Sequence, residues 1–158
     1  MEHLPEATQR FLRAAAALGV PVEPVEFPAG TKTSADAAAA VGCDTAQIAK
    51  SLVFMADEEP IVVITSGDRR VDTAVLAEAI AVSQVRRASL DECREATGYA
   101  AGGTPAFGHV AALRVFADVS LRRNDEVWSA AGTPTTVFPI PLSDLAEAAG
   151  ATWVDAAE

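Results

Sequence analysis

A chain of 158 residues, half of them hydrophobic, can bury one sizeable core and is too apolar for disorder. A net charge of −10 repels nucleic acid and anionic membranes at long range, so any nucleic-acid contact has to be local, and Arg69–Arg70, Arg86–Arg87 and Arg122–Arg123 are the only candidate basic patches. Cys43 and Cys93 lack CxxC spacing, no apolar run reaches transmembrane length, and MEHLPEATQR is not a basic segment followed by an apolar one, so the expectation is a soluble cytoplasmic protein without a disulfide framework.

Pro5 to Leu18 reads as a helix, with the proline suited to the first turn and Gly19 to the C-terminal cap. Val20 to Phe27 alternates loosely, as a strand does, and Pro28–Gly30 is a turn. Thr33-x-x-Asp36 has the form of a capping box opening an alanine helix that stops at Gly42. Asp44-x-x-Gln47 repeats the signal and predicts a second helix, DTAQIAK, ending at Lys50, with Cys43 packed on Ile48 as a hydrophobic staple. Ser51–Ala56 and Ile61–Thr65 flank a short polar turn and predict a hairpin. A helix over roughly 72–81 follows, then one capped by Ser89-x-x-Glu92 and ended by Gly98. Beyond a glycine-rich segment come strands near 113–117, 126–131 and 135–140, a helix capped by Ser143 that ends at Gly150, and a last strand, Thr152–Val154. Interleaved helices and closely linked strands predict one domain over residues 1–158, a mixed α/β sheet or partial barrel with helices packed outside it.

Several chemistries lack their residues. His3 and His109 stand alone, so no metal is expected, and neither GxSxG, a P-loop nor a Rossmann fingerprint is present, so no cofactor is expected either. Cys93 lies in DECRE, an acidic setting unsuited to a nucleophile, and reads as a helix residue. What remains is Lys50 and two loops of small residues. Lys50 either complements the end of its helix or directs a compact ammonium into a cleft. Gly102-Gly-Thr-Pro-Ala-Phe-Gly-His109 and Ser129-Ala-Ala-Gly-Thr133 are either plain turns or places where a ligand meets main-chain amides.

TSADAAAAVGCDTAQIAKSLVF, IVVITSGDRRVD, TGYAAGGTPAFGH and VWSAAGT, with the closing PLSDLAEAAGATWVD, resemble in this order the YbaK family of aminoacyl-tRNA editing domains, from about residue 20 to the end. That family includes free-standing deacylases and the editing insertion of bacterial prolyl-tRNA synthetases. The resemblance implies a compact, barrel-like mixed α/β fold. It implies hydrolysis of the ester joining a wrong small amino acid to the 3′ end of tRNA, most often tRNA for proline; a non-catalytic nucleotide- or protein-binding module of the same fold is the alternative. Activity would depend on Lys50, holding the terminal adenosine's phosphate or ribose, and on main-chain amides such as that of Gly103 at the developing oxyanion. Ser51, Gly102, Thr104, Gly108 and His109, with Ala131, Gly132 and Thr133, would line the pocket, and Phe27 and Phe107 would wall it. His109 stands either as a general base or as a surface residue opening the next strand. No side-chain nucleophile is implied; the neighbouring ribose hydroxyl helps activate the attacking water. The implied partners are the acceptor end of a mischarged tRNA and, as candidates, prolyl-tRNA synthetase or an elongation factor. The state is a monomer or a homodimer. After Gly132 the chain reads Thr-Pro-Thr-Thr-Val-Phe, without the charged residues of cysteine-specific relatives, which leaves alanine, cysteine, serine and non-protein small amino acids open.

Overall fold

The computed structural model describes residues 3–27 and 33–158. Its elements, in chain order, are α1 (Glu6–Ala17), β1 (Val25–Glu26), α2 (Ser34–Val41), β2 (Ala49–Ala56), β3 (Glu59–Ser66), α3 (Thr73–Ala79), β4 (Val85–Arg87), α4 (Leu90–Thr97), β5 (Arg114–Asp118), β6 (Glu126–Ala130), β7 (Thr136–Pro141), α5 (Leu142–Ala149) and β8 (Thr152–Val154). They form two sheets, one five-stranded in the order β4-β2-β3-β5-β8 and one three-stranded in the order β1-β7-β6. The larger is mixed: β2 pairs antiparallel with β3 and β4, whereas β3–β5 and β5–β8 are parallel. This is the mixed α/β fold expected from the sequence.

β3 reads as an unbroken apolar run because both of its faces are buried. Val62 and Ile64 enter a core with Phe11 of α1, Val127 and Phe138 of the smaller sheet and Leu145 of α5. Ile61 and Val63 enter a second core with Leu76 of α3 and Phe116 of β5. Phe11 sits at the centre of the first core, 5.3 Å from the rings of both Phe107 and Phe138. The β2–β3 turn places Asp57 and Glu58 at φ of 48° and 67°, as a two-residue turn of this hand demands. The Asp57 carboxylate accepts hydrogen bonds from the Ser83 and Gln84 amides, which ties the entry of β4 to that turn.

Local signals predicted local structure well. Thr33–Asp36 and Ser89–Glu92 form reciprocal capping boxes, and Gly42 and Gly98 end their helices in the left-handed region. The predicted helix DTAQIAK is instead a single 3-10 turn, Thr45–Gln47. Its Asp44–Gln47 box is present, but Ile48 is extended, bridging to Trp128, and β2 starts at once. Lys50 therefore stands on a strand, not at a helix end. Cys43 packs beside Ile48 as expected. Of the predicted strand Val20–Phe27 only Val25–Glu26 pairs, against β7. Ser143 caps nothing: β7 runs straight into α5, and Pro141 takes the cap position without a side-chain bond. β4 is three residues long and largely exposed, and had no signal in the sequence. The predicted turn Pro28–Gly30 begins where the described residues stop.

Arg123, after β5, clamps the end of β3 by donating to both Asp68 oxygens, at 2.7 and 3.0 Å, and to Ser66 Oγ at 2.8 Å. The Arg123 hydrogen bonds hold the Asp68 carboxyl well below the usual carboxylate range. A depressed folded value stabilises the fold above the unfolded carboxylate pKa of about 4 and loses that contribution as the pH drops further. In thermal melts, Asp68→Asn is therefore expected to lower the melting temperature at pH 7, with the deficit shrinking in acid. A deficit that persists undiminished at about pH 3 would refute this account.

Candidate functional site

β4 covers β2 only at Phe54–Ala56, so the outer edge of Lys50–Leu52 has no strand against it. The Val53 carbonyl accepts from the Ala88 amide on this side; by the two-residue period of a strand, the main-chain groups of Ser51 face the same open edge. A cleft of about 460 Å³ lies there. Among the described residues its walls are Ile48–Leu52, the start of α2 (Thr33, Ser34, Ala37), Ala101, Gly102 and Thr104 of the first loop, and Trp128–Ala130, Thr133, Pro134 and Val137 around the second.

The two loops press together main chain to main chain. The Gly132 amide donates to the Gly103 carbonyl at 3.1 Å. A Cβ on Gly103 would sit 2.6 Å from Thr133 Cα, and one on Gly132 would sit 2.7 Å from the Ala7 carbonyl of α1. Gly132 also has φ +104°, a region that favours glycine. Hydroxyls tie the second loop to α1 as well: Thr133 Oγ1 is 2.8 Å from Thr136 Oγ1, which is 2.8 Å from Thr8 Oγ1.

Lys50 is half-buried and has no ion pair among the described residues. Burial pushes its amine pKa down, and the Arg87 and Arg70 guanidiniums push it further. Ser51 Oγ is shielded from solvent and has no hydrogen-bond partner among the described residues. No histidine, cysteine or carboxylate is among the described lining residues, and nowhere among the described residues do three such groups gather as a metal site would require.

Lys50, Ser51, Gly102, Thr104 and Thr133 thus meet at one cleft. The other residues singled out from sequence do not reach its wall. Gly103 lies buried behind the loop contact, and its amide donates to the Ala100 carbonyl, which removes it as a free donor. The amides of Ala101, Gly102 and Thr104 have no acceptor among the described residues. Phe107 and Ala131 are core residues at 2% and 0% exposure. Gly108 packs against Ala14 and Phe11, and Gly132 against Ala7. Phe27 is held by a main-chain bond to Thr135, outside the cleft lining. His109 is neither a base in the cleft nor a free surface residue: Nε2 donates to the Pro105 carbonyl at 2.8 Å, and burial pushes its pKa down. Cys93 is buried, with Sγ 3.4 Å from Thr104 Oγ1, behind the loop rather than in the cleft. Sequence reasoning missed Trp128, Thr33 and Ser34. The aromatic residue in VWSAAGT, directly ahead of the second loop, was the one available signal for the first of these.

Together these features define a mixed α/β domain with a cleft walled by a lysine, hydroxyls and main-chain amides. The aminoacyl-tRNA editing domain model matches residues 28–148, and the chain belongs to this family of YbaK-like editing domains. A solved structure described as a candidate trans-editing enzyme for prolyl tRNA synthetase superposes with a TM-score of 0.93 at 35% identity, over 98% of this chain and 99% of that one. YwhH of Bacillus subtilis (strain 168), an uncharacterized protein, is 30% identical over 132 residues, 82% of this chain and 83% of its own. Proline–tRNA ligase of Geobacter sp. (strain M21) is 34% identical over 101 residues, 64% of this chain but only 18% of the ligase. Among the described residues no helix is long and apolar enough to cross a membrane.

Since neither backbone at the loop contact can retreat without breaking other bonds, Gly103→Ala is expected to cost about 1–3 kcal/mol of stability in denaturant unfolding. An unchanged unfolding midpoint would mean that the two loops separate freely.

Proposed function

We propose that the protein is a single-domain trans-editing aminoacyl-tRNA deacylase, removing a small amino acid wrongly esterified to tRNA, with tRNA for proline as the favoured carrier. The observation that carries this reading is the convergence of Lys50 and both small-residue loops on one cleft. Its volume of about 460 Å³ falls within the usual range for small-ligand sites and suits a terminal adenosine bearing one small aminoacyl group. Similarity to proline–tRNA ligase favours the proline carrier.

In this reading the Trp128 ring offers a face on which adenine stacks. Lys50 meets the phosphate or ribose of that nucleotide, and an approaching anion offsets the cost that burial imposes on the charged amine. Ser51 Oγ gains the hydrogen bond it lacks. Water attacks the ester carbonyl carbon, and the amides of Gly102 and Thr104 receive the developing oxyanion, taking the role expected of Gly103. The bond to the ribose oxygen then breaks, that oxygen takes up a proton, and free amino acid leaves. The ester is already activated, and no histidine, cysteine or carboxylate is among the described lining residues, so positioning and preorganised donors do the work. Selection would be steric. One methylene too many in a closed pocket discriminates by about 1–3 kcal/mol, enough to spare larger aminoacyl groups. A synthetase or elongation factor is a candidate for delivering the tRNA.

The test is a panel of tRNAs charged with alanine, serine, cysteine or proline, followed by loss of the ester. Wild-type protein is expected to release a small non-cognate residue. Lys50→Ala should lose at least about 100-fold in kcat/KM while keeping its melting temperature, the scale seen when a preorganised charge-stabilising group is removed. Undiminished activity in that variant would remove Lys50 from the mechanism. A wild-type protein that binds acceptor-end RNA but hydrolyses no member of the panel would be a binding module.

A further inference from the structure

We infer that Arg70 and Arg87 form, with Lys50, a phosphate-binding rim at the mouth of the cleft, holding the phosphates of the single-stranded RNA whose 3′ nucleotide occupies it. The inference rests on the reading of the cleft as an acceptor-end site.

Alternation along β2 places Lys50, Leu52 and Phe54 on one face and Ser51 on the other. Phe54 is the register partner of Arg87 on β4, and the Arg87 guanidinium lies over the Phe54 ring, 5.6 Å from its centroid. Arg87 is therefore held on the face of the sheet that Lys50 occupies, and the stacking fixes where its charge points. On the other side of Lys50, the segment after β3 is pinned by two main-chain bonds between Arg70 and Glu158, at 3.1 and 2.8 Å. Burial lowers the Lys50 amine pKa most, and the Arg87 and then the Arg70 guanidinium add to the depression.

Arg86, next along β4, is bracketed by Glu58 and Glu92, each at 2.8 Å. Among the described residues Lys50, Arg70 and Arg87 have no carboxylate within ion-pair distance. The acid that bears on Lys50, Asp68, is already bound by Arg123 and Ser66. Three like charges grouped without an ion-paired counter-charge repel one another, and an arriving anion turns that repulsion into attraction. Arg70 and Arg87 are exposed, whereas Lys50 and Leu52 line the cleft, so a chain leaving the cleft past Lys50 passes both arginines. Guanidinium suits phosphate because its planar donors match two oxygens at once.

The rim is tested without hydrolysis, by fluorescence anisotropy of labelled CCA trinucleotide, with and without a 5′-phosphate, over a salt series. At about 0.7 per neutralised phosphate, the three phosphates of the 5′-phosphorylated probe give a log–log salt slope of about −2 for wild type, and the two of the unphosphorylated probe about −1.4. Arg70→Ala/Arg87→Ala should weaken binding and bring the slope to about −0.7, and Arg70→Lys/Arg87→Lys should restore it. Losses with both probes place the rim on internal phosphodiesters; a loss confined to the 5′-phosphorylated probe places it on a terminal phosphate; either supports it. An unchanged slope in the alanine variant, or no wild-type binding to either probe, overturns it. Activity on the charged-tRNA panel separates the two readings. An active deacylase whose slope ignores both arginines loses only the rim. An inactive protein whose slope depends on them loses only the deacylase.

Discussion

The contact of Gly103 with the main chain of Gly132 and Thr133 is the constraint on which the cleft depends. Two loops from distant parts of the sequence meet without a side chain between them. That leaves the amides of the first loop and the hydroxyl and aromatic groups around the second facing one space. The second loop is in turn seated on α1, through the close approach of Gly132 to Ala7 and the hydroxyl chain Thr133–Thr136–Thr8. α1 contributes no residue to the described cleft wall, yet its position sets where the second loop sits. The Phe11–Phe107–Phe138 cluster fixes α1 against both the first loop and β7, so core packing and site geometry share the same residues.

The opposite wall has a different origin. β2 pairs with β3 along its whole length but with β4 only at its far end. An uncovered strand edge is ordinarily a place where another chain pairs. Here the start of α2, the two loops and Trp128 surround it, and the uncovered main chain becomes a wall of the site. Because successive side chains alternate, one short stretch serves both faces: Ser51 turns toward the side where the loops pack, and Lys50 toward the side where the arginines lie.

What was legible in the sequence was what neighbours decide among themselves. The capping boxes at Thr33–Asp36 and Ser89–Glu92 and the glycine stops at Gly42 and Gly98 need only a turn of chain. The same kind of signal misled at Asp44–Gln47, because the Ile48–Trp128 bridge is made with a strand far along the chain and outweighs a helix of one turn. Lys50 could be picked out by its residue type but not oriented, since its direction follows from the β2 register. The second loop was visible as a run of small residues. That Gly103 packs against the second loop, with its amide already given to the Ala100 carbonyl, could be learned only from those partners, which the sequence does not name. The place of Trp128 in the cleft wall, and β4 altogether, were hidden for the same reason: a single aromatic and three exposed residues acquire meaning only from what they face.

The charge pattern links these levels. A chain of net charge −10 has no long-range attraction for RNA, so whatever draws an acceptor end must act at contact distance. Among the described residues three acidic side chains neutralise arginines, Glu58 and Glu92 at Arg86 and Asp68 at Arg123 and Arg69. Lys50 is left half-buried beside like charges, and burial first, then Arg87 and Arg70, disfavour its ammonium relative to water. A buried cation in that condition gains most from an anion that arrives together with an apolar body able to fill the rest of the space. On the proposed function a nucleotide would be such a ligand, its phosphate supplying the charge at the mouth and its base the flat surface inside. On the proposed function, the acidic exterior would discourage duplex RNA, while the local cations would accept the single-stranded 3′ end on which a tRNA carries its amino acid.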